Sequence, residues 1–120
     1  MRLHHLAIQV VDLEKSRRFW VELLGLPEVR RQDHSLWVDA QGTLLMLERC
    51  QGDPPADPWK SQRAGLFLLA LGITPGEREA WRARLTQAGH PIEGETAFTL
   101  YVRDPDGTRV GLSHYPEPQG

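Results

Sequence analysis

Two stretches of this chain carry the same punctuation in the same order, half a chain apart. His5-Leu6-Ala7-Ile8-Gln9-Val10 lies over Leu68-Leu69-Ala70-Leu71-Gly72-Ile73 at an offset of 63 residues. Gly25-Leu26-Pro27 lies over Gly89-His90-Pro91 at 64, and Gly42-Thr43 over Gly107-Thr108 at 65. A slow drift of this kind is what short loop insertions produce. An internal repeat constrains the fold strongly, because whatever one half builds the other must build too.

Each half reads strand, helix, strand, strand, strand. In the first, Leu6, Ile8 and Val10 alternate with His5, Ala7 and Gln9, the period of a half-buried strand. Asp12 is a candidate N-cap, and Leu13, Ser16, Phe19, Trp20, Leu23 and Leu24 recur at helical spacing up to Gly25 and Pro27. Strands follow over 28–32, 35–40 and 43–49. Between 50 and 63 the composition shifts to Gly, Pro, Asp and Ser, which reads as a linker or lid loop anchored by Trp59. In the second half, 65–73 reads as a buried strand. Thr74-Pro75-Gly76-Glu77 has capping-box spacing, and the helix it opens should bury Ala80, Trp81, Leu85 and Ala88. A short strand over 92–95 leads to a closing hairpin around Asp104-Pro105-Asp106-Gly107, strong turn chemistry between two alternating strands.

Composition removes several function classes. With a formal charge of −2 over 120 residues, no broad basic field argues for nucleic acid. Apolar runs are short and interrupted, so no membrane span is expected. Cys50 is the single cysteine, which fits a reducing compartment. Met1 to His5 lacks a signal-peptide core, so the expected location is the cytoplasm.

The opening run from His5 to Leu13, with Ser16, Phe19-Trp20 and Leu24-Gly25-Leu26, resembles the first signature of the vicinal-oxygen-chelate superfamily. Its members include glyoxalase I, bleomycin-resistance proteins, fosfomycin-resistance enzymes and extradiol dioxygenases. Leu100-Tyr101-Val102-Arg103-Asp104-Pro105-Asp106-Gly107 resembles its closing signature. The resemblance implies an α+β fold in which two tandem βαβββ modules form a half-open barrel around a cleft, with the helices outside. Residues 1–120 would then be a single domain, with module one about 1–49, a linker about 50–63 and module two about 64–115. It also implies a homodimer.

Metal-dependent members take four ligands from two related pairs of positions, and the resemblance maps these onto His5, Met46, Leu68 and Gly111. Only His5 suits a borderline divalent ion; a thioether is soft, and Leu and Gly offer no donor. Glu48 lies two residues beyond Met46 on the same strand face, so a register shift could bring its carboxylate to His5. His5 and Glu48 are therefore the candidate catalytic and metal-ligating residues. His5, Gln9, Met46, Glu48, Leu68, Tyr101, Arg103, Gly111 and Ser113 are the candidate ligand-binding set.

The expected function is a small-molecule-binding protein with a degenerate metal site, holding a small organic ligand and either no cofactor or a weakly held divalent metal. The apolar replacements Met46 and Leu68 favour that reading. The alternatives are a divalent-metal-dependent lyase, isomerase, thiol transferase or dioxygenase using His5 and Glu48, and metal-free acid–base catalysis by the same pair.

Overall fold

A computed structural model describes residues 1–52 and 64–118. The chain divides into two compact units, Met1–Pro55 and Ala56–Gly120. Trp59 and most of the expected linker lie outside the described residues.

In the first unit, β1 (His5–Val10) runs to the Asp12 cap, whose Oδ1 accepts from the Glu14 and Lys15 N–H groups at 2.9 and 3.1 Å. Helix α1 (Leu13–Arg17) begins there and continues as a π-helix over Arg18–Leu23. Sequence spacing predicts one α-helix over this span. The extent agrees, but the second half is wider, with Leu24 N–H donating to the Phe19 carbonyl at 3.0 Å. Phe19 and Trp20 are both buried, with their rings edge to face at 5.2 Å. Gly25, at φ 79°, ends the helix in the left-handed region.

Strands β2 (Glu28–Gln32), β3 (Ser35–Ala40) and β4 (Thr43–Arg49) complete a sheet of order β1-β4-β3-β2. β1 is parallel to β4, and the other pairs are antiparallel. A parallel pair cannot be joined by a tight turn, and here α1, β2 and β3 make the crossover. Val10, Leu36, Val38, Leu45 and Leu47 are buried on the face that α1 covers.

The second unit repeats this plan. β5 (Leu69–Gly72) leads to a single 3₁₀ turn over Pro75–Glu77 and to α2 (Arg78–Gln87). Then come β6 (Gly94–Glu95), β7 (Thr99–Arg103) and β8 (Arg109–Ser113), in the order β5-β8-β7-β6. β5 and β8 are parallel. The two four-stranded mixed sheets and their helices make this an α+β fold, as the sequence implies.

Two details of this unit differ from the sequence reading. The strand expected over 65–73 shortens to Leu69–Gly72, and Leu66 and Phe67 before it are exposed. Helix α2 buries Leu85 as expected, but Ala80 and Ala88 are exposed and Trp81 is half-buried. The other buried residue on α2 is Arg78, at 3% exposure. It lies two turns before Leu85 and so shares its face. Arg78 Nη2 donates to the Thr96 carbonyl at 2.7 Å, and Nη1 lies 2.9 Å from Nε2 of buried His114. A guanidinium only donates, so His114 Nε2 accepts and its proton sits on Nδ1, facing the Glu117 carbonyl. An apolar pattern cannot flag an arginine that is buried because its donors are satisfied.

Thr74 and Glu77 close the expected capping box, with Glu77 Oε1 accepting from Thr74 N–H at 2.9 Å. That backbone N–H holds the Glu77 carboxyl below the usual carboxylate range. The contribution is therefore present above the unfolded-state pKa and is lost as pH falls through the folded one. Glu77→Ala should lower the urea midpoint at pH 7. The gap to wild type should close as the pH drops below about 4, as followed by circular dichroism.

Candidate functional site

Alternation along each strand gives each sheet a face turned away from its helix. On the first sheet, hydrogen-bond register arranges this face in rungs. His5 lies beside Leu44 and then Asp39; Ala7 beside Met46, Trp37 and Arg30; Gln9 beside Glu48, Ser35 and Gln32. The middle rung is mainly apolar and the outer two mainly polar.

His5 is exposed at the start of β1. Its ring lies 5.1 Å from that of Trp37, tilted by 56°, and 5.1 Å from that of His4. The His4 and His5 Nδ1 atoms are 2.8 Å apart, so one ring donates and the other accepts. Trp37 is half-buried on this face beside half-buried Met46. Glu48 is exposed and in register with Gln9, whereas His5 is in register with Leu44. Four residues of strand separate the two, about 13 Å at ~3.3 Å per residue. The β1–β4 register is continuous, so the shift that would bring Glu48 to His5 does not occur in this sheet.

On the second sheet, Arg109 lies beside Arg103; Ala70 beside Gly111, Tyr101 and Gly94; Gly72 beside Ser113 and Thr99. Arg103 is paired to Glu93, Nε to Oε2 at 2.6 Å. Arg109 is held between two rings, its guanidinium carbon 4.2 Å from the Phe67 centroid and 4.4 Å from that of Tyr101. Thr99 Oγ1 donates to Ser113 Oγ at 2.9 Å, and Tyr115 N–H to the same oxygen at 3.3 Å. Gly111 is buried, and a Cβ there would lie 3.1 Å from Thr99 Cγ2 and 3.5 Å from Leu68 Cδ1.

The candidate ligand-binding set read from the sequence does not include His4, Phe67, Thr99 or Arg109. Arg109 was recoverable, since it shares the parity of Gly111 and Ser113. Phe67 was not, because it precedes β5 and no strand register reaches it.

A model of the Glyoxalase/Bleomycin resistance protein/Dioxygenase superfamily matches residues 2–112. The chain belongs to this superfamily. It is 29% identical over 113 residues to the glutathione transferase FosA of Serratia marcescens, covering 92% of this chain and 78% of that one. It is also 29% identical over 121 residues to a virulence protein of Salmonella typhimurium, with coverage of 95% and 84%. A glyoxalase/dioxygenase structure from Nostoc punctiforme superposes with TM-score 0.83 at 23% identity, covering 97% of this chain and 92% of that one. Among the described residues no helix is long and apolar enough to cross a membrane.

The residues at the positions mapped for metal do not fit a divalent ion. One imidazole and one thioether are the only donors there. In the second sheet, the space a Gly111 side chain would enter is already lined by Leu68 and Thr99. Among the described residues no three His, Cys, Asp or Glu side chains group closely enough to hold an ion. Gly111→Ala should therefore cost about 1 kcal/mol through overpacking. Adding Thr99→Ser, which removes Cγ2 and keeps the hydroxyl, should recover most of that loss. A double-mutant cycle by urea denaturation measures the coupling.

Proposed function

We propose that this protein binds a small organic molecule and has lost the metal centre of its superfamily. The observation that carries the reading is the tight second-sheet corner at Gly111, where a side chain's Cβ would start 3.1 Å from Thr99 Cγ2 and in contact with Leu68. Beside it stand the donor-poor replacements Met46 and Leu68 and the separation of His5 from Glu48 along the sheet. On this reading His5, Gln9, Met46 and Glu48 on the first sheet, and Leu68, Tyr101, Arg103, Gly111 and Ser113 around the second, serve ligand contact. Imidazole, indole and thioether groups around Trp37 give an apolar seat with polar groups at its ends, as small-molecule sites require. We also propose a cytoplasmic homodimer, consistent with the single cysteine.

Purified protein, dialysed without chelator, should carry no stoichiometric metal by elemental analysis. Titration with Ni²⁺, Zn²⁺, Mn²⁺ and Fe²⁺ should leave its melting temperature unchanged. Near-stoichiometric metal that disappears in His5→Ala would overturn the proposal in favour of a metal-dependent enzyme.

A further inference from the structure

The edge strand of the first sheet departs from regular pairing at one place. Glu28 of β2 lies opposite Val38, but Arg30 lies opposite Trp37, so Val29 is an extra residue with no counterpart on β3. Regular antiparallel pairing from Glu28 onward would set Val29 against Trp37. The bulge instead leaves Val29 54% exposed and puts Arg30 in the Trp37 rung, on the helix-free face. That exchange gives up an apolar neighbour of the indole for a charged one, so packing does not account for it.

Both members of this rung are open to a ligand. β2 is the last strand of its sheet, so no further strand covers Arg30. Among the described residues no hydrogen bond, ion pair or ring contact holds its guanidinium. Arg31, the next residue, lies on the other face, where its Nη2 meets Glu28 Oε1 at 2.6 Å. Trp37 is half-buried, yet its Nε1 is closed off from solvent. What the indole leaves open is therefore ring carbon, a surface suited to stacking. The carboxylates of this face stand off the rung. Asp39 Oδ1 accepts from the Gly42 N–H in the β3–β4 turn at 2.8 Å. Glu48 is two strands and one rung from Arg30, about 12 Å along the sheet.

We propose that Trp37 and Arg30 seat a planar aromatic carboxylate. The ring of the ligand lies on the open carbon surface of the indole, and its carboxylate takes paired donors from the Arg30 guanidinium. The proposal rests on the small-molecule-binding reading and names the chemical class of the ligand.

Three probes test it by calorimetry: 2-naphthoate, 2-naphthylmethylammonium and cyclohexanecarboxylate. 2-Naphthoate should bind about ten-fold more tightly than the ammonium compound. Arg30→Gln should erase that preference, whereas Arg31→Gln, the same change on the opposite face, should leave it. Both arginines are exposed, so both variants should keep the circular dichroism spectrum of the wild type. Trp37→Leu should weaken 2-naphthoate several-fold and spare cyclohexanecarboxylate. Equal or tighter binding of the ammonium compound, equal losses in the two arginine variants, or an equal Trp37→Leu effect on both carboxylates would overturn the proposal while leaving the small-molecule reading in place. Failure of all three probes to bind would overturn it too, and stoichiometric metal in the purified protein would remove the underlying reading as well.

Discussion

The parallel pairing of the first and last strand in each unit is the constraint on which the rest depends. β1 can lie beside β4, and β5 beside β8, only if the chain between them crosses over one face of the sheet and returns. That crossover carries the helix. Once a helix covers one face, strand alternation decides every other side chain. Val10, Leu45 and Leu47 go under α1, and Val110 and Leu112 turn inward in the second unit. His5, Met46 and Glu48, like Arg109, Gly111 and Ser113, are left on the opposite face. Small loops between strands hold this arrangement in register. The Asp104 carboxylate, for one, gathers the N–H groups of Asp106 and Thr108 and so fixes where β7 ends and β8 begins.

Register then decides which chemistry is possible. Two side chains on one strand face are neighbours only if they occupy the same or adjacent rungs. His5 and Glu48 are of the types that proton transfer or metal binding needs, but they stand at opposite ends of the β1–β4 ladder. His5 finds aromatic company instead, between His4 and Trp37. At Gly111, Thr99, Leu68 and Ala70 lie close around the backbone, which is packed rather than exposed.

Much of the fold was legible because its signals are local. Asp12 and the Thr74–Glu77 box start their helices where side-chain chemistry predicts, and Gly25 and Gly89 end them at positive φ. Alternation placed Leu6, Ile8 and Val10 of β1 on the opposite face from His5, Ala7 and Gln9, as β1–β4 register bears out. The misses come from interactions that a linear pattern does not carry. Arg78 is buried because Thr96 and His114 accept from it, and these come together only when the start of α2 meets the residues before β7 and after β8. Trp37 has the composition of core, yet β3 register sets it beside Met46 on the helix-free face.

The sequence by itself determined the duplicated βαβββ plan and the superfamily, because turn residues, caps and alternation act over a few bonds. Only the tertiary structure decided which of those residues meet. It separated Glu48 from His5, closed Leu68 and Thr99 around Gly111, and set Arg109 between Phe67 and Tyr101. Those outcomes depend on strand register and side-chain packing, which join residues distant in the chain and are fixed only when the sheets have formed.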